Sequence, residues 1–285
     1  MFFTILCILC TSILGLIFKL AAKFECKTSR IIIINYWVCV IIGFSQNGNF
    51  MVDSFSTSWL PYLLALGFLF IIGFNWFAMT IHIVGLSIST LFQKMSIVLT
   101  VLVAIALGDV LNTIQWFGLF LGLLAIPLIY KTSEVKSKFA LRPIIFLLGT
   151  LILSAAIEIL FIIVDKKQFI STNIYSIFPG YIFGIAAILG LISHIIIHRS
   201  IQISFKELGF GVLLGIPNYY SIQSMMLALN QEFTGSLFFP ILNCSVILIA
   251  TLIGYLFFQE NLTQRQWIGL LFSLISIVFI SYYSV

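Results

Sequence analysis

The sequence predicts an all-α integral membrane protein of ten transmembrane helices, arranged as two inverted five-helix repeats. Three observations carry this. Of 285 residues, 61% are hydrophobic and only 8% charged, against about 25% charged in a soluble domain. The apolar residues form long unbroken runs instead of the period-two alternation of a membrane barrel. One short motif occurs twice, 151 residues apart. So little charge excludes a disordered chain. Ten spans of about 20 residues each use most of the length and leave no soluble domain of normal size.

Polar punctuation sets the elements. Helix 1 covers about 2–22 and ends at Lys23, Lys27 and Arg30. No basic segment or small-residue cleavage site precedes it, so it is a first membrane helix and not a cleaved signal. Helix 2, about 31–50, runs into the polar residues Gln46, Asn47, Gly48 and Asp53. Helices 3 and 4, about 59–81 and 85–107, precede the turn residues Gly108, Asp109 and Asn112. Helix 5, about 114–130, leads into the most charged loop, 131–142. Helix 6, about 143–164, stops at Asp165, Lys166 and Lys167, and helix 7, about 174–197, stops before Arg199, Lys206 and Glu207. Helices 8, 9 and 10 follow at about 208–229, 236–258 and 266–284.

The net charge of +5 sits in short loops, which reads as membrane orientation and not as a nucleic-acid surface. The loops after the odd-numbered helices hold ten bases: Lys23, Lys27, Arg30, Lys131, Lys136, Lys138, Arg142, Arg199, Lys206 and Arg265. The opposite side holds Lys166 and Lys167. The positive-inside bias puts the first set in the cytoplasm and both termini outside. Cys7, Cys10, Cys26, Cys39 and Cys244 lack histidines at ligand spacing, so they read as small hydrophobes and no metal is expected.

Residues 109–119 read DVLNTIQWFGL and residues 260–270 read ENLTQRQWIGL. Leu66, Gly67, Phe68 and Gly73 likewise match Leu208, Gly209, Phe210 and Gly215. Two collinear matches divide the chain into halves, 1–140 and 141–285. Five helices is an odd number, so the second half enters the membrane from the opposite face. That is the inverted plan of many secondary transporters. An acid, a leucine, a turn and Gln-Trp-x-Gly-Leu after a long apolar helix resembles the drug/metabolite transporter superfamily, of the EamA-like type. The resemblance implies ten helices in inverted halves. It also implies a central cavity lined by helices 3, 4, 8 and 9, and movement of small metabolites.

The scarce interior polar residues are the candidate site. Lys94 lies near the middle of helix 4, where an unpaired ammonium costs about 2.5–3.5 kcal/mol. It shares a helix face with Ser87 and Thr90. It binds a substrate anion, or it is a structural partner for a buried acid or carbonyls. Glu158 in helix 6 is its candidate partner and a candidate proton-coupling group. Asn75 and Asn218 lie just past the matched glycines of the two halves. Pro217 interrupts the helix beside Asn218, and Tyr219 follows. Pro240 and Asn243 repeat the pattern in helix 9, and Asn243 aligns with Phe92, close to Lys94. Asn35 in helix 2 completes the substrate-binding set. For each asparagine, interhelical hydrogen bonding is the open alternative. Asp109 and Glu260 are expected to cap or orient helices 5 and 10, with gating contacts as the alternative. Gly118, Gly122, Gly184 and Gly190 are expected to let helices approach closely.

These readings converge on a secondary transporter that moves a small metabolite, such as an amino acid or nucleoside, by alternating access. A membrane enzyme or a channel-like protein is the alternative. No enzymatic activity, cofactor or nucleic-acid partner is expected. The expected partners are a small-molecule substrate, membrane lipid and a coupling proton, in a bacterial inner (plasma) membrane.

Overall fold

The structure, a computed structural model, describes residues 1–46, 59–84, 89, 92–129, 141–167, 177–198, 203–258 and 263–281. It is all-α. The helices are α1 (Phe2–Lys23), α2 (Thr28–Ser45), α3 (Leu60–Val84), α4 (Ile97–Ala106) and α5 (Thr113–Ile129). Then follow α6 (Leu141–Lys166), α7 (Ile177–His198), α8 (Phe205–Gln231), α9 (Gly235–Phe258) and α10 (Gln264–Ser281). Among the described residues, four segments are long and apolar enough to cross a membrane: Thr28–Ser45, Leu60–Phe77, Leu141–Lys166 and Gly235–Ile253.

One expected helix is corrected. Helix 4 is not continuous over 85–107: the chain turns at Met95–Ser96, and α4 starts only at Ile97. At the turn the bonds tighten to i→i−3, from Ser96 N to Gln93 O (3.3 Å) and from Val98 N to Met95 O (3.2 Å). The ladder resumes with Thr100 N to Ser96 O at 3.0 Å. Lys94 therefore ends a short helical segment instead of sitting mid-helix. Helix 2 also starts earlier than expected, at Thr28, and ends at Ser45.

The chain forms two compact units, Met1–Ile72 with Ile163–Ala228, and Gly73–Ile162 with Leu229–Val285. In the first unit α2 packs along α7. Their closest approach sets Gly43 over Gly180, where a β-carbon on Gly43 would lie 2.7 Å from Gly180 Cα. Tyr36, buried, stacks on Phe183, which also meets Phe70. In the second unit α5 packs along α10, and α9 packs on α4, α5 and α10. Ile97, Val101, Leu119, Ile126, Ile247 and Leu270 form its core. Gly118 and Gly122 permit the α5–α10 contact, because added β-carbons would lie within 2.9 Å of Phe279 and 2.7 Å of Ser276 Oγ. Gly190 has Ile71 at 3.1 Å, whereas Gly184 meets only Val40 at an ordinary 3.8 Å, so no close approach requires glycine there.

The repeated motif has a local meaning. Asn112 Oδ1 accepts from Gln115 N (2.8 Å) while Gln115 Oε1 accepts from Asn112 N (2.9 Å). Thr263 and Gln266, 151 residues on, repeat the exchange at α10. These are capping boxes, which satisfy the orphan N–H groups of a helix start. Asp109 does something other than expected: its Oδ2 accepts from Ser236 N at 2.9 Å. It therefore caps α9 instead of α5, whose start Asn112 already serves. Glu260 lies outside the described residues.

Side-chain bonds also tie helix ends together. Glu207 at the start of α8 accepts from Lys27 N (3.2 Å) and pairs with Arg30 at the start of α2 (3.2 Å). Lys167 after α6 donates to Tyr62 Oη in α3 at 2.6 Å. In the second unit, Arg265 at the start of α10 donates to Pro127 O in α5 at 2.8 Å.

Candidate functional site: a lysine–asparagine–glutamate group

The second unit brings together three residues from distant parts of the chain. Lys94 Nζ donates to Asn243 Oδ1 at 2.9 Å. Asn243 Nδ2 donates to Glu158 Oε1 at 3.4 Å. Glu158 Oε2 accepts from Thr100 Oγ1 and, at 3.3 Å, from Ser96 Oγ. The two flanking charges orient the amide: its oxygen faces the ammonium and its nitrogen faces the carboxylate.

Each member is positioned by its helix. Asn243 lies on buried α9, one turn after buried Pro240. Glu158 projects from α6. Lys94 precedes the break at Met95–Ser96, and Ser96 and Thr100 follow it. Thr100 Oγ1 also lies 3.1 Å from Ser96 O, the carbonyl one turn back. The break therefore presents two hydroxyls to the carboxylate and the ammonium to the amide. Lys94 and Glu158 are half-buried, while Asn243, Ser96 and Thr100 are buried. Opposite charges joined through an amide remove most of the several kcal/mol that each would cost alone in an apolar bundle.

Ser96 and Thr100 are not among the residues that the sequence singles out. The expected polar face runs upstream of Lys94 through Ser87 and Thr90, and both of those lie outside the described residues. The available signal was the i, i+4 pair of hydroxyls just downstream.

The remaining candidates occupy other places. In the first unit, Asn218 Nδ2 donates to Asn35 Oδ1 at 3.1 Å, with both residues buried. Cys39 Sγ donates to Gly215 O at 3.3 Å, two residues before Pro217. Tyr219, also buried, donates to Gln46 Oε1 at 3.4 Å, and Gln223 donates to the same oxygen at 3.1 Å. Asn75 is exposed on α3, whereas Asn218 is buried.

No family model matches the chain. It is similar to an uncharacterized protein of Haemophilus influenzae, at 26% identity over 98% of this chain and 97% of that one. Its fold is that of a solved crystal structure, with TM-score 0.82 and 13% identity over 99% of this chain and 96% of the other.

Proposed function

We propose that the protein is a secondary transporter of the EamA-like drug/metabolite type, moving a small metabolite across a bacterial plasma membrane by alternating access. The observation that carries this reading is the Lys94–Asn243–Glu158 group at a broken helix in an otherwise apolar chain. Charges at membrane depth are expensive and mark solute or ion pathways. Interrupted helices with such groups are how transporters bind solutes.

Two further observations support it. Three of the helix pairs that pack together, α2 with α7, α4 with α9, and α5 with α10, are five helices apart, beside the contacts of α9 with α5 and α10. A pair five apart joins equivalent members of two five-helix halves, as an inverted repeat does about its pseudo-two-fold axis. The loop contacts also keep parity. The loops after the first and seventh helices meet at Arg30–Glu207. Those after the fourth and eighth meet at Asp109–Ser236. Same-side pairing of this kind is what ten successive crossings produce. The relative in Haemophilus influenzae is bacterial, which supports the location.

In this reading Lys94 and Asn243 contact the solute and Glu158 is the coupling group. Asn35 and Asn218 form a separate buried amide pair in the first unit, one residue from Pro217 on α8. The test is saturable uptake or efflux in sealed vesicles, screening amino acids, nucleosides, sugars and organic anions with and without a pH gradient. Lys94→Ala is expected to abolish flux while the protein remains folded and monodisperse. Normal flux through Lys94→Ala would remove Lys94 from the site. Lipid-substrate turnover with no solute flux would replace the transporter reading with an enzyme.

A further inference from the structure

We propose that the turn between α1 and α2, together with the start of α8, binds the headgroup of an anionic phospholipid through Lys23, Lys27 and Lys206. The proposal rests on the membrane location in the reading above and not on transport.

The first argument is how the first unit holds these segments together. α1 ends in a Schellman turn: Cys26 N donates to Ala21 O at 3.1 Å, with Glu25 left-handed at a φ of +57°. Glycine or asparagine is usual at that position. The chain reverses within three residues, with Lys23 before the turn and Lys27 after it. Ile17 and Ala21 of α1, Ile31 of α2 and Leu214 of α8 share one apolar cluster, with Cys26 and Phe210 packed against it. The Phe24 ring meets the Phe210 ring at 5.6 Å between centroids. Glu207 then fixes α8 to the turn. Its carboxylate accepts from Lys27 N at 3.2 Å, from Ser204 N at 2.8 Å and from Arg30 Nη1 at 3.2 Å. Lys206 is one residue from that contact.

The second argument is charge. Residues 23–30 and 203–207 hold four bases, Lys23, Lys27, Arg30 and Lys206, and two acids, Glu25 and Glu207. Arg30 and Glu207 neutralise each other. Lys23, Lys27 and Lys206 are exposed, and none of them forms an ion pair among the described residues. With exposed Glu25 counted, two net positive charges remain.

The third argument is the apolar setting of those charges. Phe24 and Phe205 are 52% and 93% exposed. α1 ends at Lys23, and the apolar stretch of α8 starts at Leu208. The lysines and the exposed rings therefore share the level at which two helices leave the apolar layer, where headgroups lie. Ammonium groups suit phosphate oxygens, and exposed rings suit the first methylenes of acyl chains. A free phosphate would use the lysines and leave the rings in water. A zwitterionic headgroup brings its own cation, so an anionic one gains more from three lysines.

The test uses the purified full-length protein in detergent micelles with equal amounts of phosphatidylglycerol and phosphatidylcholine. Native mass spectrometry counts the lipids retained, and phosphatidylglycerol is expected to be retained preferentially. Lys23→Gln, Lys27→Gln and Lys206→Gln are each expected to weaken its binding about fivefold. Lys136→Gln makes the same change in net charge within the loop 131–142 and is expected to leave binding unchanged. Equal retention of the two lipids by the wild type overturns the proposal whether or not any variant folds. Equal weakening by Lys136→Gln overturns it too, because the effect is then one of net charge alone. Displacement of the lipid by inorganic phosphate at matching concentration makes this a free-anion site and overturns the lipid assignment. Saturable solute flux with no lipid preference sinks this proposal and leaves the transporter reading standing. Release of the protein from membranes by alkaline carbonate sinks both.

Discussion

The crossing of α2 over α7 offers a severe test of the packing. A β-carbon built on Gly43 lies 2.7 Å from Gly180 Cα and 3.1 Å from Gly180 N, both backbone atoms, and 3.2 Å from the Tyr219 ring. Ordinary contact begins at 3.4 Å, so Gly43→Ala must drive the two helices apart by about 0.7 Å. No rotamer change relieves a clash with backbone. Overpacking of this kind costs about 1–3 kcal/mol, more than the roughly 1 kcal/mol that alanine gains over glycine within a helix. Gly180→Ala is milder, because its β-carbon lies 3.3 Å from Gly43 Cα. Gly184→Ala, one turn along α7, meets Val40 at 3.8 Å and keeps the propensity gain. Thermal unfolding midpoints in detergent should therefore fall in the order Gly184→Ala, Gly180→Ala, Gly43→Ala, with the first at or above wild type. A Gly43→Ala protein as stable as wild type, or a Gly184→Ala protein equally damaged, would refute the close α2–α7 approach.

Three other outcomes are expected. Glu207 lies in the first turn of α8, outside the apolar stretch that starts at Leu208. Burial alone would raise its carboxyl, but bonds from the Ser204 and Lys27 N–H groups and the Arg30 guanidinium outweigh that and hold it below the ordinary 4.5. Its ionised form is thus favoured by folding: the contribution is complete above 4.5 and is lost as pH falls through the lowered value. Glu207→Gln should flatten stability in that acid range, and an unchanged acid profile would count against the Arg30–Glu207 contact. Asp109→Ala should cost about 1 kcal/mol, the usual loss of an N-cap, with increased hydrogen exchange at the start of α9; exchange confined to the start of α5 would contradict the cap seen here. Gln115→Ala and Gln266→Ala should each fray their own helix start, at α5 and α10 respectively, because each removes one arm of a capping box. Amide exchange that leaves both starts protected would show the boxes to be unimportant.

How much of this was legible in the sequence depended on how far each residue's partners lie along the chain. The ten helices were legible because each apolar run is bounded by polar residues. The break at Met95–Ser96 was not, since neither residue is a glycine or proline. Its visible counterpart is Glu158, which binds the hydroxyls of Ser96 and Thr100 from another helix. Asp109 was readable as a capping acid, but its target is the start of α9, 127 residues away. Asn112 and Gln115 serve α5 themselves, three residues apart, and that spacing is a local signal.

The asparagines make the sharper comparison. Asn75 and Asn218 stand at near-equivalent positions in the repeat, yet Asn75 is exposed and Asn218 is buried against Asn35. Asn75 lies two residues past Gly73 and Asn218 three past Gly215, so the two amides are about 100° apart in helix register and face different surroundings. Lys94, Glu158 and Asn243 were legible for a different reason. In a chain with 8% charge, a buried ion has few groups that can satisfy it and cannot remain unsatisfied cheaply. Lys94 pointed to an acid, Glu158 was the interior acid available, and the repeat aligned Asn243 with the turn that carries Lys94. The missed members, Ser96 and Thr100, are hydroxyls. A hydroxyl can satisfy itself on its own helix backbone, as Thr100 does with Ser96 O, so its presence in an apolar run demands no distant partner. The ability to bond either way, to Ser96 O or to Glu158 Oε2, is what hid Thr100 in the sequence.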